Sequence, residues 1–288
     1  MKLYLKGLNV SSLYDVLQCY KAHSNVILLF SGASGDDAAS SLFLMSQINP
    51  NINARVFCSL SLQSLSSNYK VTSVNSNRIA IEVPVNSLIN NLSSCLNPEV
   101  NTDLLLSPNA IPSTPAFTIQ SFKSGTEHFI SSFAVTVLSP EQLATLSTFM
   151  TPNTSFSLAL QLTVDVVTRV LVFVNRIKKC KLVNIGVKGH SNGSLLFSGS
   201  GNGFELNMEL KQLLVKSRAI DGSTSTQSNE TNQITLDLKS FELLFSALKC
   251  NPLKSQIVFR DDNGDVDIVS EVIGGHVRSR ASPLVINL

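Results

Sequence analysis

The sequence contains an internal repeat, and this repeat restricts the folds that the chain can adopt. A strand-like run at residues 79–83 leads into a short amphipathic stretch that ends at Cys95, and residues 234–238 lead in the same way to Cys250. The two runs, like the two cysteines, are 155 positions apart, and an Asn-Pro pair closely follows each cysteine. A repeat of this kind indicates that the chain is built from copies of one structural unit.

Two further matches occur in the same order along the chain. Strand-like runs at residues 2–8 and 155–162 each precede a stretch with helical spacing of its apolar residues, and residues 40–44 resemble residues 193–197. We therefore predict two similar domains, at residues 1–138 and 154–288, joined by a linker at residues 139–153. The helically spaced residues are Leu13, Val16, Leu17 and Tyr20 in the first stretch and Val167, Val170, Leu171 and Val174 in the second.

The rest of each half consists of short β-type runs and a second helical stretch, at residues 85–96 and at residues 239–249. Helices that share one face of an antiparallel sheet make an α+β fold, and this is the class that we predict. Residues 219–233 are polar and rich in turn formers, so we expect a mobile surface loop there. The predicted strands are residues 26–30, 42–45, 55–62, 78–83, 104–106, 117–122, 129–138, 182–188, 194–198, 204–210, 234–238, 256–260 and 266–272.

Composition favours a folded protein with a large core, because 43% of the residues are hydrophobic and only 15% are charged. The formal net charge is +2, so any contact with nucleic acid would depend on a localised face. Five cysteines without CxxC spacing predict buried free thiols, with no disulfide framework, metal site or other cofactor. The sequence shows no signal peptide and no apolar run of about 20 residues, so we expect a soluble intracellular protein that does not bind membranes.

Two motifs suggest other chemistry. Residues 189–193 match the G-x-S-x-G elbow of serine hydrolases, with Ser191 as nucleophile and His276 as a distant base. That elbow must lead into a helix, whereas a strand-like run follows here, so we predict a hairpin turning at Asn192-Gly193. Residues 261–267 begin like a calcium loop, but Val266 and Val272 occupy the positions of its glycine and glutamate. We predict that the protein is not an enzyme.

A resemblance to a known family is carried by residues 1–6, 164–188, 193–197, 204–210 and 234–252. In these segments the chain resembles the Hus-one (fungal Mec-three) family, whose members are subunits of the heterotrimeric checkpoint sliding clamp with a PCNA-like fold. The resemblance implies a nuclear protein, also cytoplasmic before assembly, that encircles double-stranded DNA without sequence preference and recruits checkpoint and DNA repair factors. It implies two other, Rad-type clamp subunits and a clamp loader as partners. A serine hydrolase using Ser191 and a homotrimeric replication clamp are the alternatives.

In the fold of this family, helices line the central hole and should present basic residues to DNA. Helical spacing places Arg169, Arg176 and Lys179 on one face, and such side chains contact phosphates. Charged residues are also common on ordinary solvated helix faces, and it is the resemblance that favours DNA here. The stretch at residues 85–96 carries no charge. The remaining DNA-facing candidates are Lys21, Lys239 and Lys249.

A clamp also needs sheet edges that pair with neighbouring subunits. An exposed edge left unpaired favours aggregation, so an edge of this kind needs a partner strand. The family fold implies one subunit edge at residues 129–138 and the other at residues 204–210. The candidate interface residues are Phe129, Val135 and Val137 on the first edge and Phe204, Leu206 and Met208 on the second.

Overall fold

A computed structural model describes residues 1–32, 40–47, 52, 54–111, 114–148, 158–188, 192–201, 203–217, 232–260 and 264–284. Contacts divide the chain into two units. The first comprises Met1–Gln47, Phe57–Asn153 and Val272–Val277, and the second comprises Ile48–Val56, Thr154–Glu271 and Arg278–Leu288. Among the described residues, no helix is long and apolar enough to span a membrane.

The described residues of the first unit form two antiparallel sheets and four helices. Its strands are β1 (Lys2–Leu8), β2 (Asn25–Ser31), β3 (Ser41–Ser46), β4 (Ala54–Ser61), β5 (Ser66–Thr72), β6 (Arg78–Pro84), β7 (Val100–Ile111), β8 (Thr114–Lys123), β9 (Thr126–Ala134) and β10 (Thr136–Val137). Its helices are α1 (Val10–Leu17), α2 (Leu62–Leu65), α3 (Val85–Ser93) and α4 (Pro140–Thr148), and a 3-10 turn at Gln18–Tyr20 extends α1. The strand orders are β5-β1-β7-β8-β9 and β10-β6-β2-β3-β4.

On one face of the β2–β3–β6 region, α3 packs against β6, and α1 packs against α3. Helix α1 begins after Asn9, whose side chain accepts a hydrogen bond from the Ser12 backbone N–H at 3.1 Å. Its buried residues include Leu13 and Val16, at the spacing that the sequence predicts. The hydroxyl of the buried Tyr20 donates to the Leu44 carbonyl at 2.8 Å, so this side chain fixes the end of the helix to β3 without an unpaired polar group.

The opposite face of the same sheet is apolar too, and helix α4 covers part of it. Leu143 of α4 is buried in a cluster with Leu29, Met45 and Ala80. Apolar side chains on both faces explain why β2 and β3 are almost continuously hydrophobic. The segment that we predicted as a linker, residues 139–153, thus contains a helix that packs on the first unit.

In the second unit, the part of the chain that the structure describes forms eight strands in one antiparallel order and two helices. The strands are β11 (Leu158–Leu162), β12 (Leu182–Lys188), β13 (Asn192–Gly201), β14 (Phe204–Ser217), β15 (Asn232–Asp237), β16 (Lys254–Phe259), β17 (Val266–Val272) and β18 (Gly275–Ala281). Residue 272 of β17 and residues 275–277 of β18 are grouped with the first unit, and the remaining residues of all eight strands belong to the second. Its helices are α5 (Val164–Arg176) and α6 (Leu238–Leu244), the latter followed by a 3-10 turn at Phe245–Leu248. The strand order is β18-β17-β16-β11-β14-β13-β12-β15.

Four phenylalanines join the helices of the second unit to its sheet. The ring centroid of Phe197 on β13 lies 5.6 Å from that of Phe173 on α5, 6.0 Å from Phe241 on α6 and 5.6 Å from Phe245. All four side chains are buried. Aromatic pairs at these separations pack tightly, so this cluster forms the centre of the core of the second unit.

The two units share a strand order. In the first unit, the order is β9-β8-β7-β1-β5 in one sheet and β4-β3-β2-β6 in the other. The second unit follows the same order from β18 to β15. The single strand β14 takes the places of both β4 and β5, because it pairs with β13 and also with β11. The α+β class predicted from the sequence is confirmed by this sheet-rich architecture.

Several predicted element boundaries need correction. Residues 129–138 are divided between β9 and β10, the strand at 204–210 continues to Ser217, and β5 and β18 were missed. Helix α5 ends at Arg176, three residues before Lys179. Residues 219–231 of the predicted surface loop lie outside the described residues, and residues 232 and 233 begin β15.

The predicted two-residue turn at Asn192-Gly193 is wrong. Strands β12 and β13 do form a hairpin, but Asn192 and Gly193 belong to β13 and pair with Leu214 and Leu213 of β14. A Cβ atom at Gly193 would lie 2.7 Å from side-chain atoms of Leu160 and Val215, so close packing, and not turn geometry, explains this glycine.

Candidate DNA-binding surface and subunit edges

Helix α5 presents two arginines on its exposed face. Thr163 caps the helix, Asp165 lies in its first turn and Arg176 in its last, an arrangement that complements the helix dipole. Val170, Phe173 and Val174 are buried, which leaves Arg169 and Arg176 exposed. The Nε atom of Arg169 lies 3.1 Å from an oxygen of Asp165, but both side chains are largely exposed, so this pair is weak and can exchange for phosphate.

The basic residues gather where α5 ends. Lys179 lies in the turn after α5, and Lys181 precedes β12. The N–H of Leu238 donates to the Lys181 carbonyl at 3.3 Å, which brings Lys239 of α6 beside this turn. The cations of this basic cluster, all exposed and free of ion pairs among the described residues, are Arg176, Lys178, Lys179, Lys181 and Lys239.

Two of these cations, Lys178 and Lys181, were missed by sequence reasoning. They lie outside the helix, where helical spacing gives no information, and only the hydrogen bond between Lys181 and Leu238 shows that they border α6. The other two candidates are also exposed in turns: Lys249 follows the 3-10 turn after α6, and Lys21 follows the one after α1. Helix α3 carries no charged residue.

The first candidate subunit edge is strand β9. It is the last strand of its sheet and pairs only with β8 among the described strands. Phe129 is half-buried, and Ile130 is 51% exposed. Val135 is buried and its N–H donates to the Pro115 carbonyl, while Val137 lies on β10 opposite Ile81 of β6.

The second candidate edge is the first part of β14. Residues 204–210 pair with β13, and pairing with β11 begins only at Val215. Phe204, Leu206 and Met208 are half-buried and alternate with exposed polar residues. The structure therefore places all three candidate residues of this edge on one face of a strand segment whose second side pairs with no described strand.

The second unit also contains a buried ion network that sequence reasoning missed. Asp267 is fully buried and accepts hydrogen bonds from the Nε and Nη2 atoms of Arg260, at 2.9 and 2.6 Å, and from Nε of Arg280 at 2.7 Å. Arg278 lies 3.9 Å from the same carboxylate, and burial lowers the pKa of its guanidinium while Asp267 raises it. Alternation of charged residues along β17 and β18 is the sequence signal that could have revealed this network.

The two motifs that suggested other chemistry lie partly outside the described residues. Ser191 and residues 261–263 lie outside the described residues, and His276 is exposed on β18. All five cysteines are described and buried, and none of them forms a disulfide, in agreement with the thiols that the sequence predicted. Burial raises the pKa of the Cys95 and Cys180 thiols, which keeps both protonated.

This sheet-rich fold belongs to a class of protein, the PCNA-like sliding clamps. The family model described as Hus1-like protein matches residues 1–263, so the chain belongs to the Hus1-like family, the Hus-one family that its sequence resembles. This is a family of non-enzymatic scaffolds that serve as subunits of the DNA damage checkpoint clamp. Its members associate with other clamp subunits and act in the nucleus. No curated protein matches the chain.

Proposed function

We propose that this chain is one subunit of a heterotrimeric checkpoint sliding clamp that encircles double-stranded DNA and recruits checkpoint and repair factors. The match to the Hus1-like family over residues 1–263 carries the proposal. In it, two other clamp subunits complete the ring, a clamp loader places it on DNA, and the subunit resides in the cytoplasm before assembly and in the nucleus afterwards.

The two halves of the chain, residues 1–138 and 154–288, are in this proposal two copies of the clamp domain, and residues 139–153 connect them. The shared strand order supports this assignment, and so do matching contacts at the end of each copy. The Leu138 N–H donates to the Ala80 carbonyl, and the Leu284 N–H donates to the Thr235 carbonyl. Ala80 and Thr235 are separated by the repeat offset found in the sequence.

The surface proposed for DNA consists of the exposed cations on the helices and their adjoining turns. Arg169, Arg176, Lys179, Lys239 and Lys249 are exposed in the second unit, and Lys21 is exposed in the first. Contacts from such side chains go to the phosphates, which are the same for every sequence. Binding of this kind releases counterions, so it weakens as salt increases.

The experiment that tests this surface uses the complex purified with the tagged chain and a short linear duplex, whose open ends let a ring slide off, so that retention depends on phosphate contacts. Changing Arg169, Arg176 and Lys179 together to alanine should reduce DNA retention and flatten its dependence on salt. The slope of log affinity against log salt is negative, and each lost phosphate contact reduces its magnitude by about 0.9. Three lost contacts therefore reduce its magnitude by nearly 3. Retention at increasing salt concentration is the measurement.

A matched control changes three exposed lysines on strands, Lys123, Lys211 and Lys254, to alanine. This variant removes the same charge and should retain DNA like the wild type. If the helix variant keeps the wild-type salt slope, or the control loses as much of it, the proposed DNA surface is wrong.

A further inference from the structure

The first part of β14 is an edge that can accept another strand. Among the described strands, only β13 pairs with residues 204–210, because the pairing of β11 with β14 is confined to Val215 and the two residues after it. The second side of this segment therefore faces no described strand. Such an edge presents backbone N–H and carbonyl groups in the spacing that another β-strand requires.

The side chains along this edge form one apolar row and one acidic row. Phe204, Leu206 and Met208 are half-buried on one face, and Glu205 and Glu209 are exposed on the other. Side chains of a paired strand alternate between the same two faces. A strand that fits here therefore carries apolar residues towards the first row and basic residues towards the two glutamates.

The other edge of the chain, β9, does not supply this charge pattern. Residues 126–134 include no lysine or arginine, and Glu127 is their one acidic residue. The outward side chains of His128, Ile130 and Ser132 offer no permanent positive charge to Glu205 or Glu209. A second copy of this chain, docked by β9 on β14, would leave both glutamates without a basic partner.

We propose that the β14 edge selects a foreign strand, in which apolar residues alternate with lysine or arginine, over the β9 strand of a second copy of the chain. This inference rests on the proposed function in taking the partner to be another clamp subunit. Glu205 is available for such a pair, because its carboxylate accepts only one described hydrogen bond, from the side-chain amide of Asn207 at 3.1 Å. Glu209 contacts Lys211 at 3.2 Å on the exposed surface, a pair that is weak enough to exchange.

The test uses the full chain and two synthetic nine-residue peptides, one alternating valine with lysine and the other alternating valine with glutamate. Titrations followed by the backbone amide signals of residues 204–210 measure the affinity of each peptide. The lysine peptide should bind about tenfold more tightly, because two cross-strand pairs change from like to opposite charge. The variant Glu205→Lys with Glu209→Lys should reverse this preference.

A charge-matched control carries Glu99→Lys and Glu271→Lys, two exposed glutamates outside β14. This control should keep the wild-type preference, which separates pairing at the edge from general attraction between charges. Equal affinity for both peptides, no shift in residues 204–210, or an unchanged preference in the β14 variant would each overturn the proposal. Since neither peptide comes from a clamp, failure of the proposed checkpoint function would leave this result unaffected.

Discussion

At the scale of single residues, Asp267 is the charged side chain whose burial most requires compensating partners in the described structure. Its carboxylate has no exposed surface and receives hydrogen bonds from Arg260, which is itself almost fully buried, and from Arg280. Removing one member of a buried ion pair leaves charge without compensation in a region of low polarity. The free energy of unfolding therefore depends strongly on this one carboxylate.

We predict that Asp267→Asn lowers the free energy of unfolding of the isolated chain by about 3–5 kcal/mol. Urea titration followed by circular dichroism measures the change. Asp165→Asn is the matched control, because it removes the exposed partner of Arg169, and it should cost less than about 1 kcal/mol. Equal losses in the two variants would show that the buried network does not stabilise the second unit.

These residues also show what a sequence can and cannot reveal about a site. Arg169 and Arg176 follow from helical spacing, since seven residues return a side chain to the same face of a helix. The contacts of Asp267 depend on the register of β16, β17 and β18, which places residues from separate strands together. Lys178 and Lys181 depend on how a turn packs beside α6, and local pattern does not contain that information.

At the scale of elements, the helices of the second unit depend on their contacts with one phenylalanine. Phe197 on β13 touches rings from α5, from α6 and from the 3-10 turn after α6. Phe197→Ala should lower the free energy of unfolding by about 3–5 kcal/mol, the usual cost of a large cavity in a core. Urea titration of the isolated chain measures this effect.

The control for Phe197 is Phe204→Ala, which truncates a half-buried ring on the β14 edge. Its loss of stability should be smaller, since less apolar surface is returned to water and the site can relax. A larger loss for Phe204 than for Phe197 would mean that the aromatic cluster is not the main contact between helices and sheet.

The sequence predicted most elements of the fold because their apolar residues alternate or recur at helical spacing. It missed β5 and β18, whose polar and charged residues hide the alternation. It also missed α4, because Pro140 and the polar residues around it suggest a linker. Only the apolar outer face of β2 and β3, visible once the sheet is formed, shows where Leu143 packs.

At the scale of the whole molecule, the repeated strand order agrees with the family match. A clamp built from repeated units needs edges that pair with neighbours, and both β9 and the first part of β14 have an unpaired side among the described strands. The charge pattern of β14 does not fit β9, so pairing between identical copies is disfavoured. This mismatch supports the proposed ring of different subunits, which agrees with the match to the checkpoint family.

The composition of the native complex tests this conclusion most directly. The tagged chain should be purified from nuclear extract at low salt, and the intact assembly should be weighed by native mass spectrometry. We predict a complex with one copy of this chain and two distinct clamp-like subunits of similar fold. Recovery of the chain as a monomer, or as a trimer of identical copies, would contradict the assignment to a heterotrimeric checkpoint clamp.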